Sequence, residues 1–176
     1  TSTHEIMHVL VGRKTEGSIN LPLWLNEGLA EYANRDKTIS YDLYLDWAIG
    51  TNQLKPLSQL RSFPGDPKLT LVAYGQSRSV INYLIDNFGE TGMNVLLTNI
   101  SKGKTIDEAL INAYGFDLDT LDSDWRKSIG AGPYELREES VVEVNDISSG
   151  SCRSNNLIFV LPLLLLYSVK NIKRFF

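Results

Sequence analysis

A chain of 176 residues with 43% apolar and 10% aromatic side chains can build one packed domain, alone or with an appendage, and its body is too apolar for disorder. The charge is unevenly split: Arg153, Lys170, Lys173 and Arg174 stand after residue 150 with no acid among them, so the first 150 residues hold 13 basic and 21 acidic side chains, a net of −8. An acidic body argues against nucleic acid as a partner, and the single cysteine, Cys152, excludes an intrachain disulfide and any cysteine-based zinc knuckle.

Residues 1–11 read as a helix. The only two histidines of the chain, His4 and His8, stand in it, within Thr3-His4-Glu5-Ile6-Met7-His8. Four residues turn about 400° around a helix, so the two imidazoles lie about 40° apart on one face and can grip one metal ion. Glu5 stands beside them, placed to work on a metal-bound water. Ile6, Met7, Val9, Leu10 and Val11 are expected to back the histidine face, and Gly12 to end the helix in the left-handed conformation. A polar loop over 13–21 follows. Pro22 then opens a second helix, where its missing N–H costs little, and that helix runs to about residue 33.

Ser40 is expected to cap a third helix over 41–49, with Tyr44, Leu45, Ala48 and Ile49 as its apolar stripe. Residues 50–68 hold three prolines and two glycines and read as an irregular connection with one short turn at 57–60. A long helix over 71–88 ends at Gly89, and another covers 91–100. The run from Thr105 to Glu108 is a capping box that opens a helix to Tyr114, stopped by Gly115. Asp117 or Asp119 starts a last helix through Trp125 to residue 129. No convincing strand precedes 141–144, which reads as a short strand or linker. The body is therefore predicted to be all-α.

Residues 131–156 read as a linker, strongly polar from 145 onward, in which Cys152 is a free thiol or, less simply, a lipidation site. The 13 residues over 157–169 are nearly all apolar. As a helix they span about 20 Å, against roughly 30 Å of membrane hydrocarbon. Asn155, Asn156 and a snorkelling Lys170 bring the segment close to spanning, and membrane helices tolerate a proline such as Pro162. The basic residues follow the apolar run, which predicts a single-pass anchor over 157–176 with a cytoplasmic end and the body on the extracytoplasmic side. A buried soluble helix competes less well, because no sequence remains to cover it. The layout also resembles a cleaved sorting tail, but no sorting motif accompanies it.

After 18 intervening residues His8 is followed by Glu27, within Leu23-Trp24-Leu25-Asn26-Glu27-Gly28-Leu29-Ala30-Glu31-Tyr32. HExxH, 18 residues, then Glu in an N-E-G-L-A context resembles the zinc signature of the gluzincin peptidases, and is similar to the aminopeptidase N family and the peptidase MA-like domains. The resemblance covers residues 1–130 and is densest at the two metal-binding segments. It implies a helical, thermolysin-like catalytic subdomain, with a β-subdomain upstream of residue 1 in a longer protein, and zinc-dependent hydrolysis of a peptide or protein substrate. Zinc would be held by His4, His8 and Glu27 with one position left for water, and Glu5 would be the general base.

Further roles follow from the same resemblance. Glu31, one turn beyond Glu27, matches the acid that in many gluzincins bonds the far nitrogen of a ligand histidine; a solvated surface glutamate is the competing reading. Relatives donate to the oxyanion from a tyrosine at the start of a later helix. Ala73-Tyr74-Gly75-Gln76-Ser77 resembles the Y-x-Q-S segment of peptidase MA-like domains, which gives that role to Tyr74, with Tyr83 or a backbone N–H as the alternative. The Lys and second Glu of the aminopeptidase pattern are absent. Gln76 and Ser77 either line the cleft or cap and solvate the helix start. Arg78 reads as a surface arginine in preference to a partner for a substrate carboxylate, and Trp24, Trp47 and Trp125 read as core anchors. Two readings of other classes compete: a non-catalytic binding domain that keeps the fold, and a structural helical spacer. The intact set of His4, Glu5, His8, Glu27 and Tyr74 counts against both.

Overall fold

The structure, a computed structural model, describes residues 3–34 and 39–134. In chain order these form α1 (Thr3–Lys14), α2 (Leu23–Ala33), α3 (Ile39–Gly50), a 3-10 turn (Leu57–Gln59), α4 (Pro67–Ser101), α5 (Ile106–Tyr114) and α6 (Leu118–Ser128). No strand occurs among the described residues, so the all-α expectation holds there. The 141–144 segment, the linker beyond residue 134 and the anchor over 157–176 lie outside them, as does any subdomain upstream. Among the described residues no helix is long and apolar enough to cross a membrane.

Most helix ends follow from local chemistry. Thr105 and Glu108 form the predicted capping box, and Gly115 closes α5 in the left-handed region at φ 86°. Asp117 caps α6 by accepting from the Thr120 N–H. Four boundaries differ from expectation. Helix α3 begins at Ile39, so Ser40 lies within its first turn and does not cap it, and α2 begins at Leu23 with Pro22 one residue before it, in the extended conformation of an N-cap. Helix α4 begins at Pro67, four residues early, because Asp66 caps it by accepting from the Leu69 N–H and the proline sits in the first turn. Helix α1 runs on through Gly12 to Lys14, and the left-handed residues are Glu16 and Gly17 instead. There the Gly17 N–H reaches back to the Gly12 carbonyl at 2.9 Å. The predicted break at Gly89 is present as a non-helical residue (φ 72°, ψ 173°) that divides α4 into two limbs.

The first limb of α4 is the spine on which α2 and α3 lie. Two glycines set how closely. A Cβ on Gly28 would fall 2.6 Å from the Ser77 carbonyl oxygen and 2.7 Å from Ile81 Cγ1, and one on Gly75 would fall 2.6 Å from the Tyr41 carbonyl oxygen. Both contacts are helix against helix at backbone range. They bring Glu27, the neighbour of Gly28, and Tyr41 to the segment of α4 that carries Tyr74.

Trp24 and Trp125 are fully buried, as expected, and each such side chain contributes on the order of 1.5–3 kcal/mol. Trp47 is half-buried with Lys68 Nζ over its ring at 3.3 Å. Gln76 and Ser77 depart from expectation. Both are fully buried, and Gln76 neither caps nor solvates the helix but donates to the Lys55 carbonyl at 2.6 Å. Arg126 donates to the same carbonyl at 2.8 Å and pairs with Asp122 at 2.7 Å. The irregular connection after α3 is thereby tied to α4 and α6.

Helix α1 packs on α2 and touches α4; its Val11 is buried in the core and Met7 packs against that core. Ile6, Val9 and Leu10 are about half exposed, contrary to the expectation that they would be packed behind the histidines. At about 100° per residue these three point roughly half a turn away from His4 and His8. The histidine side of α1 is the side that faces the body.

Candidate metal centre

His4 and His8 point from α1 toward α2, which carries Asn26, Glu27 and Glu31. His4 Nε2 and His8 Nε2 are 3.0 Å apart. Glu27 Oε2 lies 3.6 Å from the first and 3.5 Å from the second. These three are the His/Glu group among the described residues whose donor atoms converge closely enough to hold a metal ion.

The far nitrogens settle what the near ones offer. His4 Nδ1 lies 2.9 Å from Glu31 Oε1, and His8 Nδ1 lies 3.1 Å from Asn26 Oδ1. A carboxylate and an amide oxygen accept hydrogen bonds, so each Nδ1 carries the proton and donates. In the neutral imidazoles both Nε2 atoms are then bare lone pairs. Their 3.0 Å approach beside a carboxylate oxygen is not a hydrogen bond between neutral rings. Three lone-pair donors turned toward one point suit a cation. The donor set therefore fits a metal.

Glu31 is only 6% exposed, so its charge is largely removed from water and needs a partner. The His4 Nδ1–H, 2.9 Å from Glu31 Oε1, supplies one. Glu5 is exposed on α1. Tyr74, half-buried on α4, stacks on Tyr41 (ring centroids 5.6 Å, 16°) and meets Phe63 at a right angle (4.8 Å, 87°). Burial, and then the carboxylates of Glu27, Glu31 and Glu5, raise the pKa of the Tyr74 hydroxyl above the ordinary tyrosine value.

The family model of the peptidase MA superfamily matches residues 1–131. The chain belongs to the peptidase MA superfamily. No curated protein and no solved structure matches it.

The peptidase MA domain brings His4, His8, Glu27 and Glu31 into one cluster and sets Tyr74 beside Tyr41 and Phe63. Tyr83, the alternative to Tyr74, does not join them. It stands nine residues along α4, about half a turn around the helix, where it packs on Phe88 at 6.3 Å and feels Asp124. Arg78 pairs with Asp42 on α3.

Three contributors were not singled out from the sequence. Asn26 precedes Glu27 directly, and the need of His8 for an acceptor at its far nitrogen was the available signal. Tyr41 and Phe63 carry no motif. They reach Tyr74 only through the packing of α3 and of the connection that follows it.

Proposed function

We propose that this peptidase MA domain is a zinc metallopeptidase that hydrolyses peptide bonds, with Glu5 as general base and Tyr74 as oxyanion donor. The observation that carries the reading is the convergence of His4 Nε2, His8 Nε2 and Glu27 Oε2, with both far nitrogens held by acceptors. Zinc takes nitrogen donors at about 2.0–2.1 Å, so the donors of a tetrahedral site stand roughly 3.4 Å apart. The separations of 3.0, 3.5 and 3.6 Å bracket that value. Three protein ligands leave a fourth position open, the pattern of a catalytic rather than a structural site.

Zinc, when bound, supplies Lewis-acid polarisation of the scissile carbonyl and makes a water acidic enough to lose a proton near neutral pH. The remaining work falls to the chain. Glu5 accepts the proton that water loses as its oxygen bonds to the carbonyl carbon. It then gives that proton to the amine nitrogen as the C–N bond breaks, and returns to its starting state. The Tyr74 hydroxyl, protonated near neutral pH as any tyrosine is, donates to the carbonyl oxygen as negative charge gathers there. Glu31 and Asn26 hold the two imidazoles in the tautomer that turns Nε2 toward the metal. The substrate is a peptide or protein chain. The apolar run over 157–169 and the basic residues after it support a membrane anchor that leaves the domain on the extracytoplasmic side.

The test compares the full chain with its Glu5→Gln variant on a mixture of fluorogenic peptides, with zinc measured in both. The wild type is expected to cleave, and the variant to lose about 10²- to 10⁴-fold in kcat with its zinc unchanged. A zinc-loaded wild type that cleaves nothing, or a variant as active as the wild type, would contradict the reading. The first outcome would favour the alternative, a binding domain that retains the peptidase fold.

A further inference from the structure

Tyr41 reaches Tyr74 from an element that the metal-binding segments do not include, and several contacts fix it there. Its carbonyl oxygen sits against Gly75, where a Cβ would approach to 2.6 Å, so α3 lies directly on the residue that follows Tyr74. The next residue, Asp42, pairs with Arg78 of α4. The Arg78 guanidinium stands 5.7 Å from the Tyr41 ring centroid. The Tyr41 ring then lies nearly parallel to the Tyr74 ring, at 16° and 5.6 Å. Phe63 meets the Tyr74 ring at 87° and 4.8 Å. It comes from the connection that Gln76 and Arg126 hold through the Lys55 carbonyl. Two rings on separate elements therefore restrict one tyrosine, and each element is tied back to α4.

We propose that Tyr41 is a positioning residue: its ring, stacked on Tyr74 and aided by Phe63, holds the Tyr74 hydroxyl in the one orientation from which it can donate to the reacting carbonyl. The inference rests on the peptidase reading. A hydroxyl at the end of a phenol ring shifts whenever the ring tilts, and a donor to a developing oxyanion contributes only when it is in place beforehand. An aromatic stack at this distance supplies the restraint without occupying the donor itself. Tyr41 acts through its ring, so its own hydroxyl is dispensable.

The test is a double-mutant cycle on the full chain with zinc bound. Tyr41→Leu is expected to lower kcat about 10- to 100-fold, with KM and zinc content unchanged, and Tyr41→Phe to restore kcat to within about twofold. In a Tyr74→Phe background, Tyr41→Leu should cost less than about twofold, because the hydroxyl it positions is gone. The same pattern is expected in the affinity for a phosphonate peptide, a stable tetrahedral mimic of the reacting carbonyl, measured by calorimetry. Equal losses in both backgrounds would reduce Tyr41 to general packing and overturn the inference, and so would a Tyr41→Phe variant as impaired as Tyr41→Leu. Both outcomes leave the peptidase reading standing, whereas a zinc-loaded wild type without hydrolysis overturns that reading and this inference together.

Discussion

At the scale of single residues, what the histidines offer depends on which nitrogens carry protons. Glu31 and Asn26 each accept from the far nitrogen of one histidine, so each orients a proposed metal ligand without itself being one. Glu31→Ala and Asn26→Ala are each expected to weaken zinc binding about 10- to 100-fold, measured by competition with a chromophoric chelator. Affinities within about twofold of wild type would mean that the tautomers are not held by these groups. The approach of His4 and His8 was legible because helix geometry makes an i, i+4 pair converge whatever surrounds it. Glu27 and Glu31 were singled out by the resemblance of their segment to the gluzincin signature, and spacing alone would not have chosen them. Asn26 was not recognised as a partner, because nothing in the sequence says which residue of α2 will face His8 Nδ1. Tyr41 and Phe63 were invisible for a stronger reason, since their position depends on how α3 and the following connection pack.

Among the elements, the α2–α4 contact governs the site. Gly28 is the point of closest approach and the neighbour of Glu27. Gly28→Ala forces the two helices apart or strains them, at a cost of about 1–3 kcal/mol, and should also weaken zinc binding because Glu27 moves with the backbone. Thr105→Ala removes the α5 capping box at about 1 kcal/mol but lies on a different element from the metal ligands and should leave zinc affinity unchanged. Thermal unfolding with and without zinc checks both. A Gly28→Ala variant with wild-type stability and zinc affinity would show that the approach is not limiting. Helix ends with side-chain caps, at Thr105 and Asp117, and the glycine stops at Gly89 and Gly115 were readable because their chemistry is local. The end of α1 was not. Gly12 is compatible with either a helix or a left-handed stop, and the hydrogen bond from Gly17 back to its carbonyl decides for the helix.

For the whole molecule, the composition and the order of elements foretold an all-α body, and what they could not foretell was which faces would be covered. Ile6, Val9 and Leu10 illustrate this: their apolar character called for a packed face, while α1 turns its histidine side inward. Burial also shapes the response to pH. Tyr41, Tyr74, Tyr83 and Tyr114 all have hydroxyls whose pKa is raised, chiefly by burial. In the unfolded chain these groups lose their protons near pH 10, before they do in the folded one. Their contribution to stability is therefore full below about pH 10 and declines as pH rises through the folded values. Urea midpoints are expected to hold between pH 8 and 9 and fall between pH 10 and 11. A midpoint unchanged to pH 11 would contradict the burial of these tyrosines.

The measurement that bears most directly on the metal centre is the zinc content of the purified full chain by elemental analysis, beside a His8→Ala control whose fold is verified by circular dichroism. The account predicts about one zinc per wild-type chain, the count of a single three-ligand site, and little or none in the control. A folded, helical wild type that takes up no zinc when it is supplied would contradict it.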